Sequence, residues 1–121
     1  MTKHAIKFAK SFKYAFVGIK EGFNQRNIKI QLLCGIITIF AGFFFNINQS
    51  EWLSLIIIIF IVLTAELFNT AIEEVCNCQR DCLGASYEST RVARDVAAGA
   101  VLMASVCAVI VGIIIFLPKI L

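Results

Sequence analysis

Apolar residues are concentrated in three long runs along the chain, roughly residues 28–47, 52–65 and 96–117. A bilayer core of about 30 Å is crossed by roughly 20 helical residues, and the first and third runs meet that length. The second run stops at Glu66, so its helix must continue through polar residues to cross. We therefore predict three transmembrane helices over residues 28–47, 52–76 and 96–117, with Pro118 ending the third.

The segment before the first run, residues 5–24, has the pattern of a helix lying on a membrane surface. Large apolar side chains recur at helical spacing and share one face: Phe8, Phe12, Phe16, Ile19 and Phe23. Lysines occupy the other side: Lys3, Lys7, Lys10, Lys13 and Lys20. A basic face opposite an aromatic face suits the boundary between anionic headgroups and acyl chains. The alternative is a soluble helix packed on a partner.

Composition and charge favour a single all-α membrane domain over residues 1–121. Sixty percent of the 121 residues are hydrophobic, well above ordinary globular usage. Seven of the eleven Lys and Arg residues precede residue 30, and the segment 46–51 has none. The positive-inside rule then places the N-terminus and the loop 77–95 in the cytoplasm, in a multi-pass protein of the inner membrane. Nucleic-acid binding explains this charge distribution poorly.

Five cysteines are present, and three of them cluster in the predicted cytoplasmic loop region: Cys76, Cys78 and Cys82. Disulfides are not expected in that reducing compartment. The cluster has soft-metal ligands but lacks a fourth nearby ligand with zinc-site spacing. The sequence leaves metal binding and an incidental loop cluster open, and favours the second.

A stripe of polar side chains descends the second predicted span. Asn69, Glu73 and Asn77 lie within about 60° of Glu66 on a helical wheel. Carboxylates and amide oxygens suit Mg²⁺, and a carboxylate at membrane depth can take a proton from a lipid hydroxyl. Structural oligomerisation through Glu66 and Asn69 is the competing interpretation, and a proton-coupled transporter is another, since intramembrane acids often relay protons.

The residues around this stripe are similar to a known family. Glu66-Leu-Phe-Asn69-Thr-Ala-Ile-Glu73, followed by Ala93-Arg94-Asp95-Val-Ala-Ala-Gly-Ala-Val, resembles the small bacterial diacylglycerol kinase/undecaprenol kinase family. The segment from Lys10 to Lys20 and the Arg26-Asn27 pair resemble the same family. The likeness extends over nearly the whole chain. It implies an ATP-dependent lipid kinase that forms a homotrimer with shared sites and transfers phosphate directly from MgATP.

The resemblance also implies residue roles. Glu66 would be the catalytic base, with Asn69 as a supporting polar group, and Glu73 would bind the Mg²⁺ ion. Contacts to ATP would come from six residues: Lys7, Tyr14, Glu73, Asn77, Arg94 and Asp95. Arg94 stands where the family usually has lysine.

Two positions depart from the family pattern by losing an acid. Gln25 stands where a metal-binding Glu is usual, with Glu21 one turn earlier as an alternative ligand, and Asn77 stands where an Asp is expected. These losses support a rival interpretation, a non-catalytic membrane subunit descended from the kinases. The run from Val96 resembles the undecaprenol kinase branch, so we expect undecaprenol as the substrate, with diacylglycerol as the alternative.

Overall fold

The structure is a computed structural model that describes residues 2–121, and it consists of four α-helices. The helices are α1 (Lys3–Phe23), α2 (Arg26–Phe44), α3 (Gln49–Leu83) and α4 (Tyr87–Ile120). The last three are each long and apolar enough to cross a membrane. The predicted all-helical fold with three candidate spans is therefore confirmed.

Side chains that cap the first turn define three of the four helix starts. The Thr2 hydroxyl accepts a hydrogen bond from the backbone N–H of Ala5 at the start of α1. Asn48 and Glu51 form a reciprocal capping box at the start of α3, and Ser86 caps α4. Capping of this kind satisfies backbone donors that have no partner within the helix. By contrast, α2 begins after Gln25 with no hydrogen bond from a capping side chain.

The connections between the three long helices are short. Residues 45–48 join α2 to α3, and Asn46 adopts a positive φ of 53° there, a conformation that Asn tolerates better than most residues. Gly84, with φ 72°, ends α3 in the left-handed conformation typical of helix C-termini. Residues 84–86 then lead into α4.

Both α3 and α4 extend well beyond the predicted spans. The segment 77–95, predicted as a loop, is helical except at residues 84–86. With 35 residues, α3 is about 52 Å long, so it projects beyond a hydrocarbon core of about 30 Å. The prediction from apolar runs missed the helical residues 77–83 and 87–95, because a helix can continue through polar residues once it has left the lipid. Pro118 does not end α4 either, since Leu121 N–H still bonds to the carbonyl of Leu117.

The bundle is built around α3, which packs most extensively on α4 and then on α2. Near the α2–α3 turn, Leu55 and Ile58 of α3 form an apolar core with Ile47 of the turn and Ile115 of α4. Trp52 packs beside this core against Phe43, with ring centroids 4.8 Å apart. Its ring fills the space that a Cβ at position 42 would need, 2.7 Å from Cη2, so Gly42 permits this contact.

Helix α1 contacts the other helices mainly through its C-terminal end. Gly22 is buried there and leaves room for the side chain of Leu67 on α3. The aromatic residues Phe8, Phe12 and Phe16 are 66%, 55% and 69% exposed. Large apolar side chains are also exposed on α2, α3 and α4, as expected where lipid or another apolar surface covers a helix.

Candidate active site

A polar layer crosses the three long helices beyond the apolar core. Glu66 of α3 is only 4% exposed, and the Gln31 side chain of α2 lies beside its carboxyl group. Gln31 Nε2 also donates a hydrogen bond to Ser105 Oγ of α4, at 3.4 Å. Sequence reasoning identified Glu66 but missed Gln31 as a neighbour. The available signal was a polar residue inside each flanking apolar run, Gln31 in the first and Ser105 in the third.

The depth of Glu66 follows from its position along α3. It lies about 21 Å from Trp52, where the predicted span begins, at 1.5 Å per residue, which is in the inner part of a hydrocarbon slab of about 30 Å. A carboxylate at this depth costs a few kcal/mol on insertion scales and therefore usually faces the inside of a bundle. Its burial between helices agrees with that expectation.

The two polar atoms of the Asn69 side chain, one turn after Glu66, differ in their hydrogen bonding. Its Nδ2 donates to Glu73 Oε1 at 3.1 Å, so the predicted stripe is joined by a hydrogen bond. Its Oδ1 is buried and has no hydrogen-bond partner within residues 2–121. A buried acceptor left unpaired costs about 1–3 kcal/mol. The amide oxygen is therefore available to a donor that this chain does not itself supply.

Asn69 also lines a groove of about 570 Å³ between α3 and α4. The other lining residues are almost all apolar, and they include Phe60, Ile61, Phe68 and Ala97. The groove runs along the membrane-spanning part of α3, with Asn69 and Thr64 as its polar members. Its size and lining suit a hydrocarbon chain attached to a small polar group.

Arg94 joins the projecting ends of α3 and α4. Its Nη2 donates to Asn77 Oδ1 at 3.0 Å, and its Nε donates to Thr90 Oγ1 at 3.1 Å. The guanidinium carbon lies 5.1 Å from the centroid of the Tyr87 ring. Two of the residues predicted to contact ATP, Arg94 and Asn77, are thus brought together. Sequence reasoning gave no role to Thr90 or Tyr87.

Asp95, also predicted to contact ATP, has a different partner. Its Oδ2 accepts a hydrogen bond from Arg91 Nη1 at 3.1 Å, and Arg91 Nε donates to Glu88 Oε1 at 2.9 Å. These three side chains are exposed on the outer side of α4. The pairing leaves Asp95 solvent-accessible, and its role at a nucleotide site stays a prediction.

A second groove, of about 830 Å³, lies between α1 and α3. Gln25 and its predicted alternative Glu21 both line it, together with Glu74 and Thr70 of α3. Glu73, the other predicted metal ligand, is not among its lining residues. Glu74 is therefore the α3 acid that shares a groove with Gln25 within one chain. Sequence reasoning missed it because a helical wheel shows which face of a helix a residue occupies, but not which neighbouring helix that face meets.

These donors have the chemistry that Mg²⁺ prefers. Carboxylate and amide oxygens are hard ligands, and Mg²⁺ is commonly held by one or two carboxylates together with substrate phosphates. Within residues 2–121 no three His, Cys, Asp or Glu side chains are close enough to hold a metal ion. The carboxylate and amide oxygens present therefore fit a Mg²⁺ ion by their chemistry.

The two predicted ATP contacts on α1 are exposed. Lys7 and Tyr14 lie on α1, away from its packed end. Cys76, Cys78 and Cys82 lie on the last turns of α3 rather than in a loop, with Cys76 buried and the other two exposed.

Comparison with known proteins gave three findings. The family model described as prokaryotic diacylglycerol kinase matches residues 13–116. A diacylglycerol kinase of Synechocystis sp. is 38% identical over 92% of this chain, which spans 63% of that relative's length. An undecaprenol kinase of Bacillus subtilis is 33% identical over 93% of this chain and 90% of the relative. No solved structure gave a significant match.

Proposed function

Because the chain belongs to the prokaryotic diacylglycerol kinase family, we propose that it is an ATP-dependent kinase that phosphorylates the hydroxyl group of a membrane lipid. The observation that carries the proposal is the buried carboxylate of Glu66, one helical turn from the unpartnered Oδ1 of Asn69 beside an apolar groove. A lipid chain in the groove would bring its polar end to Asn69, one helical turn from Glu66.

The chemistry assigned to these residues is direct phosphoryl transfer. Glu66 accepts the proton of the lipid hydroxyl as that oxygen bonds to the γ-phosphorus of ATP. The bond from the γ-phosphorus to the bridging oxygen breaks, and ADP leaves with the electron pair. Asn69, one turn from Glu66, is the supporting polar group, and its Oδ1 has no partner within residues 2–121. Such reactions depend mainly on positioning and on neutralising phosphate charge, the role we assign to Arg94.

Glu73 would hold the Mg²⁺ ion, with Gln25 or Glu21 as a further ligand, and the bound ion would neutralise phosphate charge. Glu74 joins these candidates because it lines the same groove as Gln25 and Glu21. Lys7 and Tyr14 on α1, and Asn77 and Asp95 near Arg94, complete the proposed nucleotide site.

The assembly we propose is a homotrimer with composite sites. The proposed nucleotide residues of α1 are exposed, and α1 packs on the bundle mainly near Gly22. A neighbouring chain would complete the site and cover the exposed apolar faces of the long helices. In the membrane, α1 lies on the cytoplasmic surface of the inner membrane, with its aromatic residues in the lipid and its lysines at the headgroups.

Undecaprenol is the lipid we favour. The likeness of the run from Val96 to the undecaprenol kinase branch supports it, and so does the coverage of most of the length of the Bacillus subtilis enzyme. Higher identity to a diacylglycerol kinase supports the alternative. The lining of the groove suits the hydrocarbon of either lipid.

A single assay tests the function. Purified protein in mixed micelles is given ATP labelled at the γ-phosphate, with undecaprenol or diacylglycerol as acceptor. We expect labelled lipid phosphate, formed faster from undecaprenol. Faster labelling of diacylglycerol would reverse the choice of lipid. No labelled product from either lipid, with protein that is folded and binds ATP, would favour a non-catalytic membrane subunit.

A further inference from the structure

The three side chains that contact the Arg94 guanidinium group are uncharged. Thr90 Oγ1 and Asn77 Oδ1 accept hydrogen bonds from its guanidinium group, and Tyr87 presents its ring face. Thr90 is only 4% exposed, and its hydroxyl donates in turn to the backbone carbonyl of Tyr87 at 3.1 Å. The Arg94 side chain is thus fixed from two helices.

The acids close to Arg94 in sequence are engaged elsewhere. Asp95 and Glu88 pair with Arg91, at 3.1 Å and 2.9 Å. Among residues 2–121, Arg94 itself makes no ion pair. Its positive charge is therefore held in place by three contacts, none of which neutralises it.

The geometry also leaves hydrogen-bond donors free. A guanidinium group has five N–H donors in a rigid plane, and the two hydrogen bonds use one on Nε and one on Nη2. The other three, including both on Nη1, remain for an external acceptor. A planar fork of this kind matches the oxygens of a phosphate group.

We propose that Thr90, Asn77 and Tyr87 form a neutral brace that positions Arg94 for the phosphates of ATP. The three are positioning residues, and the inference rests on the proposed function because it assigns Arg94 to the nucleotide. It gives Asn77 a different role from that of a weakened metal ligand. An acid at position 77 would pair with Arg94 and compete with the phosphate for the same charge.

Asn77→Asp separates these two roles in steady-state kinetics at saturating lipid, with ATP varied at saturating magnesium and magnesium then titrated at saturating ATP. A neutral brace predicts a KM for ATP raised roughly tenfold, the scale of one hydrogen bond to a charged group, with kcat changed much less. If Asn77 is instead a weakened metal ligand, the acid should lower the magnesium concentration needed for half activity and leave or lower the KM. That second result would overturn the brace.

Thr90→Val tests the brace from its other side while keeping side-chain shape. We expect the KM for ATP to rise by a similar factor, and Thr90→Ser, which retains the hydroxyl, to restore it. Thr38→Val is the matched control, because Thr38 also donates to a backbone carbonyl, that of Gly35, but lies far from Arg94 along the bundle. Equal KM changes in Thr90→Val and Thr38→Val would overturn the brace.

The coupling between Thr90 and Arg94 is measured in an Arg94→Lys background. A lysine has no Nε–H to donate to Thr90, so Thr90→Val should then add little to the loss already caused. Fully additive losses would overturn the proposal.

Direct binding of MgATP to the purified full-length protein, followed by calorimetry, separates this inference from the proposed function. If no lipid is phosphorylated but Thr90→Val and Asn77→Asp still weaken MgATP binding, the brace stands and the kinase assignment fails. If lipid is phosphorylated and neither variant changes MgATP binding, the brace fails and the kinase assignment stands.

Discussion

The two ends of the three-helix bundle are held together by different interactions. At the α2–α3 turn, buried aliphatic side chains pack around Ile58, and a capping box and the ion pair of Glu51 with Lys119 close the end. At the other end, the buried positions include Glu66, Asn69 and Thr90. One of those groups, Asn69 Oδ1, has no partner within residues 2–121.

By this contrast, the apolar end mainly stabilises the fold, and the polar end carries the proposed chemistry. Among residues 2–121, the apolar end has no buried side-chain polar atom without a partner, whereas the polar end keeps an acid at membrane depth, the unpaired acceptor of Asn69 and a cation, Arg94, that makes no ion pair. Features of this kind weaken a structure unless a ligand completes them. We therefore expect substitutions at the apolar end to change unfolding and substitutions at the polar end to change activity, and four predictions test this division.

The largest effect is expected at Glu66. Glu66→Gln keeps the size and hydrogen bonding of the side chain but removes the basic oxygen, so turnover should fall about 10²–10⁴-fold, with MgATP binding and thermal stability preserved. Lipid phosphorylation and thermal unfolding are measured on the same preparation. Glu51→Gln, at the opposite end, is the control and should keep normal turnover. Near-normal turnover of Glu66→Gln would leave Glu66 a packing residue.

The next effect is on stability, at the centre of the apolar core. Ile58→Ala leaves a cavity beside Leu55 and Ile115, and we expect a cost of about 2 kcal/mol. This is the lower end of the usual range for such substitutions, because lipid already surrounds the helices with apolar groups. The unfolding midpoint in detergent should fall while kcat below that temperature stays unchanged. A loss of kcat without a change in the unfolding midpoint would contradict the expectation that the apolar end affects stability and not activity.

A smaller effect is expected from restoring an acid at the α1–α3 groove. Gln25→Glu should lower the magnesium concentration for half activity several-fold, since a carboxylate binds Mg²⁺ more tightly than an amide does. Magnesium titrations of Glu21→Gln and Glu74→Gln identify the other ligand in that groove. If Gln25→Glu has no effect and Glu21→Gln shifts the curve, the ligand lies one turn earlier. Full activity of Glu73→Gln would remove the metal assignment altogether.

The smallest effect concerns pH at the apolar end. A hydrogen bond from the backbone N–H of Asn48 and one from Lys119 hold the pKa of Glu51 below its ordinary value of 4.5. A carboxyl with a lowered folded-state pKa contributes stability fully above that ordinary value and loses it as the pH falls below 4.5. The unfolding midpoint of Glu51→Gln should therefore depend less on pH in that acidic range. If the unfolding midpoints of the parent protein and of Glu51→Gln changed equally with pH, Glu51 would make no such contribution to stability.

Sequence reasoning predicted the helices and the acid at depth because both follow from periodicity and length. Glu66 stands out where an apolar run ends too early to cross a membrane. The partners of the predicted residues could not be found in this way. Gln31 beside Glu66, and Glu74 in the same groove as Gln25, depend on how separate helices are rotated against each other. Thr90 lies one turn before Arg94 on the same helix, and it was missed because residues 77–95 were predicted as a loop, where helical spacing does not apply. A polar residue alone in an apolar run shows that a partner is needed, but not which one.

Helix ends were also harder to predict than helix positions. The apolar runs end near the lipid boundary, yet α3 continues to Leu83 and α4 begins at Tyr87. The stop signal was Gly84, whose left-handed conformation ends the helix, followed by the capping residue Ser86. Glycine followed closely by serine marks the boundary better than hydropathy does.

The tight turn at Asn46 has a consequence for how the protein enters the membrane during synthesis. Residues 45–48 can span only about 14 Å even when fully extended, so α2 cannot settle in the bilayer while α3 remains far from it. The polar backbone of an unpaired extended segment is excluded from hydrocarbon. We therefore expect the two helices to insert as one hairpin, with α3 already against α2, and α4 to join a preformed pair.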